Sequence, residues 1–216
     1  MMHASGAAQR FPNSMQPCRA CSEQGFSLVE FLLATLVMLI IAGSVFTLLS
    51  QTESTASYQT EVQGVLENTR IAMETVERIL QQAANDPLKA GFPGVIITSS
   101  MQVRVQSDIT GSGPGVDKGD PDGATDDTGE DYIIRYNAGG RTIELVTPAG
   151  TVQPIASNIT AFSMQYFDRA GAATAAGNNV CRVRISLTGT SPVRDLQTGD
   201  VFAMQLTSDV QLANRQ

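Results

Sequence analysis

The chain has 216 residues, with 14 Lys and Arg against 21 Asp and Glu, for a formal net charge of −7. Its length is consistent with one domain plus an anchor, and its acidic balance excludes a nonspecific grip on nucleic acid, which needs clustered cations. Two of the three cysteines, Cys18 and Cys21, form a lone C-R-A-C, a weak zinc or redox signal without a second pair, and Cys181 stands alone.

Residues 1–25 contain Pro12, Pro17, small and polar side chains and the sole histidine, His3. They read as an unstructured cytoplasmic leader, within which Met15 is an alternative start. From residue 25 the sequence runs G-F-S-L-V-E into F-L-L-A-T-L-V-M-L-I-I-A-G-S-V-F-T-L-L. Residues 31–49 carry no charge and no proline, and as a helix they would cover about 28 Å, close to the hydrocarbon thickness of a bilayer. Residues 26–50 are therefore predicted to cross a membrane.

Glu30 stands at the edge of this apolar run, where a carboxylate costs a few kcal/mol unless it is neutralised or paired. The nearest cations in sequence are Arg19 upstream and Arg70 downstream. A cut between Gly25 and Phe26 would place an ammonium on Phe26, four residues before Glu30. That spacing shares one helix face, and between neighbouring helices each carboxylate could meet the next terminus. Losing residues 1–25 would also remove Arg10, Arg19 and Glu23, leaving 12 basic against 20 acidic side chains, or −8.

The hexapeptide and its apolar tail resemble the type III signal of type IV pilins and type II secretion pseudopilins. The resemblance implies cleavage after Gly25 by a prepilin peptidase, N-methylation of Phe26, and a role for Glu30 as the assembly charge that guides subunits into a helical filament. It also implies other pilin subunits and an inner-membrane assembly platform as partners, and a single-pass inner-membrane stage before the pilus, periplasm or cell surface. Two plainer readings compete. A secretory signal would use Ser54-Thr55-Ala56 as its cleavage site, but Glu23 and Glu30 stand where its basic region should be. A simple signal anchor would leave Glu30 snorkelling to the interface without a role.

Beyond the membrane run, apolar residues recur at steps of three and four: Val62, Val65, Leu66, Thr69, Met73, Val76, Ile79, Leu80 and Ala83. This is the stripe of an amphipathic helix over residues 51–86, ending near Ala84 before Asn85-Asp86-Pro87. The stripe needs a cover, and residues 87–216 supply strand candidates at 94–98, 101–106, 132–136, 142–147, 158–167, 180–188 and 201–212. The fold class is α+β, a long N-terminal helix packed on an antiparallel sheet. That layout resembles pilins, and R-I-A-M-E-T-V-E-R-I-L-Q-Q-A-A-N-D-P with a strand-rich second half is most like minor pilins of the PilW type. Residues 168–179 and 189–200 read as surface loops.

Between strands lies D-K-G-D-P-D-G-A-T-D-D-T-G-E-D, residues 117–131. Close-set carboxylates with a glycine after D-x-D suit Ca²⁺, which takes six to eight oxygens. Asp120, Asp122, Asp126 and Asp127 are the candidate ligands. An EF-hand is not implied, because aligning Gly123 with its glycine puts Lys118 and Gly129 at ligand positions. The competing reading is a solvated acidic turn.

No catalytic constellation is evident. The histidine lies in the leader, the remaining lysines are Lys89 and Lys118, and neither a nucleophile elbow nor a phosphate-cradling loop occurs. Three functions follow in order of preference. The first is a structural subunit, a minor pilin or a minor pseudopilin of a type II secretion system. The second is a single-span membrane protein with a calcium-binding extracytoplasmic head, and the third is a membrane-anchored enzyme using unrecognised carboxylates.

Overall fold

The computed structural model describes residues 27–111, 120–195 and 198–215. One helix, α1 (Leu28–Gln82), opens the described chain, which divides into two compact units, Met1–Leu49 and Ser50–Gln216.

In the first unit, α1 carries its large apolar side chains in the open: Phe31, Leu36, Met38, Ile40 and Phe46 are all exposed. Three hydroxyls along it are satisfied within the helix. The hydroxyls of Thr35, Ser44 and Thr47 donate to the carbonyls of Leu32 (2.9 Å), Ile41 (2.7 Å) and Gly43 (2.9 Å). A helix in lipid requires this, since hydrocarbon offers no replacement partner. Among the described residues α1 is the one helix long and apolar enough to cross a membrane.

Among the described residues, the second unit contains eight strands in two antiparallel sheets. The first, in the order β1 (Val95–Ser99), β2 (Gln102–Gln106), β3 (Asp131–Asn137), β4 (Thr142–Val146), β5 (Val152–Ala156), is a meander of sequence neighbours. The second is β6 (Ile159–Phe167), β7 (Arg182–Arg194), β8 (Val201–Gln211). Where one sheet was expected there are two, and both bury their inner faces against the same helix stripe. Val65, Thr69, Ala72, Met73, Val76, Ile79 and Leu80 are its buried residues. From Ala72 onward the stripe forms one apolar core with Val95, Val103 and Ile134 of the first sheet and Phe162, Val183, Ile185 and Leu187 of the second.

Two expectations need correction. β5 was not anticipated, because Pro154 interrupts its sequence; it lies at the sheet edge, where a missing N–H costs no ladder bond. Residues 189–194, read as loop, extend β7. A Cβ on Gly189 would lie 2.1 Å from Thr69 Oγ1 and 3.2 Å from Val65 Cγ1. Its bare Cα is what lets the helix approach the sheet, and Thr69 has no room to yield because its hydroxyl donates to Val65 O at 2.6 Å.

The helix ends at Gln82, close to the expected residue. Ala84 turns left-handed (φ 58°), and its amide donates to Gln106 O at 2.9 Å, tying the end of the helix to the end of β2. Gly94 closes that corner: a Cβ on it would stand 2.4 Å from Ala84 Cβ.

On the first sheet Glu144 is buried and accepts from Asn137 Nδ2 (2.9 Å), Arg135 Nε (2.8 Å) and Thr142 Oγ1 (3.1 Å). These contacts, the Asn137 bond first and Arg135 next, hold its carboxyl below the usual glutamate range. A depressed folded value means the stabilisation is present above the unfolded pKa of about 4.3 and fades as pH falls through the folded one. The melting temperature of Glu144→Gln should therefore lie below wild type at pH 7, with the gap closing towards pH 3. A gap independent of pH would remove the charge from the account. Gly189→Ala should destabilise the full chain by about 1–3 kcal/mol through overpacking against Thr69, read as a lowered melting temperature in detergent. Thr69→Ser, keeping the hydroxyl but removing a methyl, should restore little of it.

Candidate functional site

Two regions hold the residues singled out in the sequence. At the start of α1, Glu30 lies exposed in the first helical turn, and the Phe31 amide donates to Ser27 O at 3.1 Å. Gly25 and Phe26 lie outside the described residues. The helix dipole favours an acidic group here by about 0.3–1 kcal/mol, less than the few kcal/mol a carboxylate costs at the edge of lipid. The four ion pairs among the described residues are Arg104–Asp131, Arg135–Glu144, Arg182–Asp209 and Arg184–Asp209, and none involves Glu30.

The second region is the acidic segment between β2 and β3. Asp120 and Asp126 are exposed, while Asp122 and Asp127 are half-buried. Asp126 and Asp127 line a hollow of about 520 Å³ with Arg104, Asp131 and Tyr132, and neither Asp120 nor Asp122 contributes to its wall. Asp122 Oδ1 is occupied by the amide of Ala124 at 2.9 Å. Among the described residues no group of three or more His, Cys, Asp or Glu is placed to hold a metal ion. Two buried oxygens there, Gln106 Oε1 and Asp127 Oδ2, have no hydrogen-bond partner, far short of the six to eight that calcium takes. The four candidate aspartates are thus not brought together as a ligand set; Asp117 and Lys118 lie outside the described residues.

What organises the segment is a pair of carboxylates that the sequence reading did not select. Glu130, 1% exposed, accepts from the amides of Ile109 (2.8 Å) and Thr110 (2.7 Å), from Thr110 Oγ1 (3.1 Å), and through Oε2 from the Asp127 amide (3.2 Å). Asp108, fully buried, accepts from the amides of Asp122 (3.2 Å) and Gly123 (3.0 Å). Backbone dipoles thus satisfy these two buried charges. Next to them Asp131 is gripped by Arg104, whose Nε lies 2.8 Å from Oδ1, and this bond raises the arginine's pKa. The only sequence cue to Glu130 is its position one residue before a strand, where it can turn back over the loop it ends.

Elsewhere, Cys181 is partly exposed and lines a second hollow. No family model matches the chain, and no curated protein is significantly similar to it.

If backbone amides hold the acidic segment, Glu130→Gln should destabilise the chain by about 3 kcal/mol, because an amide NH₂ would face donors. Millimolar Ca²⁺ or a chelator should leave the wild-type melting temperature unchanged. A calcium-dependent rise of several degrees, reversed by chelator, would return the segment to the cation.

Proposed function

We propose that this chain is a filament subunit, a minor pilin of a type IV pilus, that starts in the bacterial inner membrane as a single-pass protein. Prepilin peptidase cuts between Gly25 and Phe26, Phe26 is N-methylated, and the subunit joins or primes the filament through its N-terminal helix. Its partners are other pilin subunits and the inner-membrane assembly platform, with no nucleic acid. A minor pseudopilin of a type II secretion system uses the same parts and stands as the alternative within this reading.

The observation that carries the proposal is Glu30 itself. It is a carboxylate in the first turn of a helix whose following residues, as far as Leu49, are mostly apolar and, apart from the half-buried Thr35, exposed. The dipole offsets only a fraction of its cost in lipid. A processed Phe26 ammonium is a sufficient counter-charge at a suitable spacing. Two further features support the reading. One is the satisfied hydroxyls along the apolar run, and the other is the passage of the same helix into an amphipathic stripe under a β-rich head.

Mass spectrometry of the purified protein is expected to find a methylated phenylalanine, Phe26, at the amino terminus. A terminus at Met1 or Ser57 would instead favour a plain anchored protein or a secreted one. Glu30→Ala should still be cut but should enter filaments poorly, seen as processed protein retained in the membrane fraction. Normal incorporation of that variant would sink the charge-pairing mechanism.

A further inference from the structure

The second hollow, about 470 Å³, lies where the β6–β7 connection meets the end of β8, walled by Asp168, Arg169, Cys181, Arg182, Gln211 and the buried Leu212. Its frame is held by backbone bonds: Cys181 N to Phe167 O (2.9 Å), Leu212 N to Cys181 O (2.9 Å) and Asp168 N to Ala172 O (2.9 Å). Arg182 is pre-oriented, with its guanidinium carbon 4.5 Å from the centroid of the Phe167 ring.

The charges around the hollow are unequally committed. Asp209 belongs to Arg184, which binds it at 2.8 and 2.9 Å through two nitrogens, and this pairing holds the aspartate below its usual range. Arg182 reaches Asp209 only at 3.8 Å, beyond hydrogen-bond distance, so its planar donors remain available. Arg169 is exposed and takes part in none of the ion pairs found among the described residues. Asp168 spends Oδ1 on the Ala172 amide at 2.8 Å. In a chain of net charge −7, this corner sets three arginines against two aspartates.

We infer that this hollow is a carboxylate-binding site for an aspartate-rich peptide segment, and that its occupant is residues 120–127, D-P-D-G-A-T-D-D, of a second copy of the chain. Charge complementarity argues for that occupant. The segment carries four aspartates and no cation, and Asp120 and Asp126 are exposed, outside the hydrogen bonds that hold Asp108 and Glu130. Arginine with free coplanar donors is the side chain best suited to bind such carboxylates bidentately. The two surfaces share no residue, so one such contact leaves a hollow on one copy and a segment on the other open to pair again. The inference does not depend on processing at Gly25.

The test uses the full chain in non-ionic detergent and a fluorescent peptide copying residues 120–127. Saturable binding is expected, weakened by high salt and reduced about tenfold in Arg169→Gln/Arg182→Gln, the loss expected for a charge-assisted pair. Arg169→Gln alone, at an exposed position, should weaken binding without changing the melting temperature, so a folding defect cannot explain the result. A photoreactive residue in place of the exposed Thr128 should label residues 168–182 of another copy. The proposal is overturned by absent saturation, by equal binding of a peptide with all four aspartates changed to asparagine, by equal binding to the double variant, or by labelling confined to other regions.

Discussion

The packing of one helix face against two sheets is the constraint on which the second unit depends. The sheets share no strand ladder, and scattered backbone bonds such as Met164 N to Ser100 O (2.7 Å) link one to the other. Neither three strands nor a five-stranded meander buries both of its faces alone, so each needs a cover. The stripe from Val65 to Ala83 covers both at once, and its fully buried members, Thr69, Ala72, Val76, Leu80 and Ala83, fall at helical steps of three, four, four and three. Small residues at the closest approaches set the depth of contact. Gly189 on the sheet and Ala72 on the helix are placed where larger side chains would lift one layer from the other.

That stripe was legible in the sequence because helical periodicity over a long segment is a strong signal, and seven strands were legible through alternation. What escaped notice did so for identifiable reasons. β5 contains a proline, which local chemistry reads as a break until the strand is known to lie at an edge. The end of β7 contains Gly189 and Pro192, whose tolerance comes from tertiary contact and a register irregularity before Arg194. The number of sheets was not legible at all, since alternation marks which face of a strand is buried without saying which other strand lies beside it.

The acidic segment shows the same limit in electrostatic form. Its spacing of aspartates and glycine suits a cation, and a count of charges along the sequence does not register backbone amides as counter-charges. Asp108 and Glu130 take up amides from both ends of the segment, so two buried anions are stabilised by dipoles that belong to every residue and mark none. The neighbouring Asp131 and Glu144 are held by arginines instead, one from each adjacent strand. Cross-strand ion pairs of that kind could have been inferred only once the register was known.

Buried carboxylates in the second unit thus have backbone amides or arginines among their partners, with neutral donors such as Asn137, Thr142 and Thr110 beside them. Glu30 has neither among the described ion pairs, and a helix N-terminus is a weak substitute. In water this would not matter, because solvent would carry the charge. The residues that follow Glu30 make water an unsuitable environment for the helix, since exposing a continuous apolar surface of that length costs about 25 cal/mol per Å². An environment that suits those residues is costly for the carboxylate, and one that suits the carboxylate is costly for them. On the proposed reading, a positive charge created by proteolysis resolves the conflict. Before the cut Glu30 would sit at the membrane edge without a partner, and after it the same residue would become a reason for helices to associate.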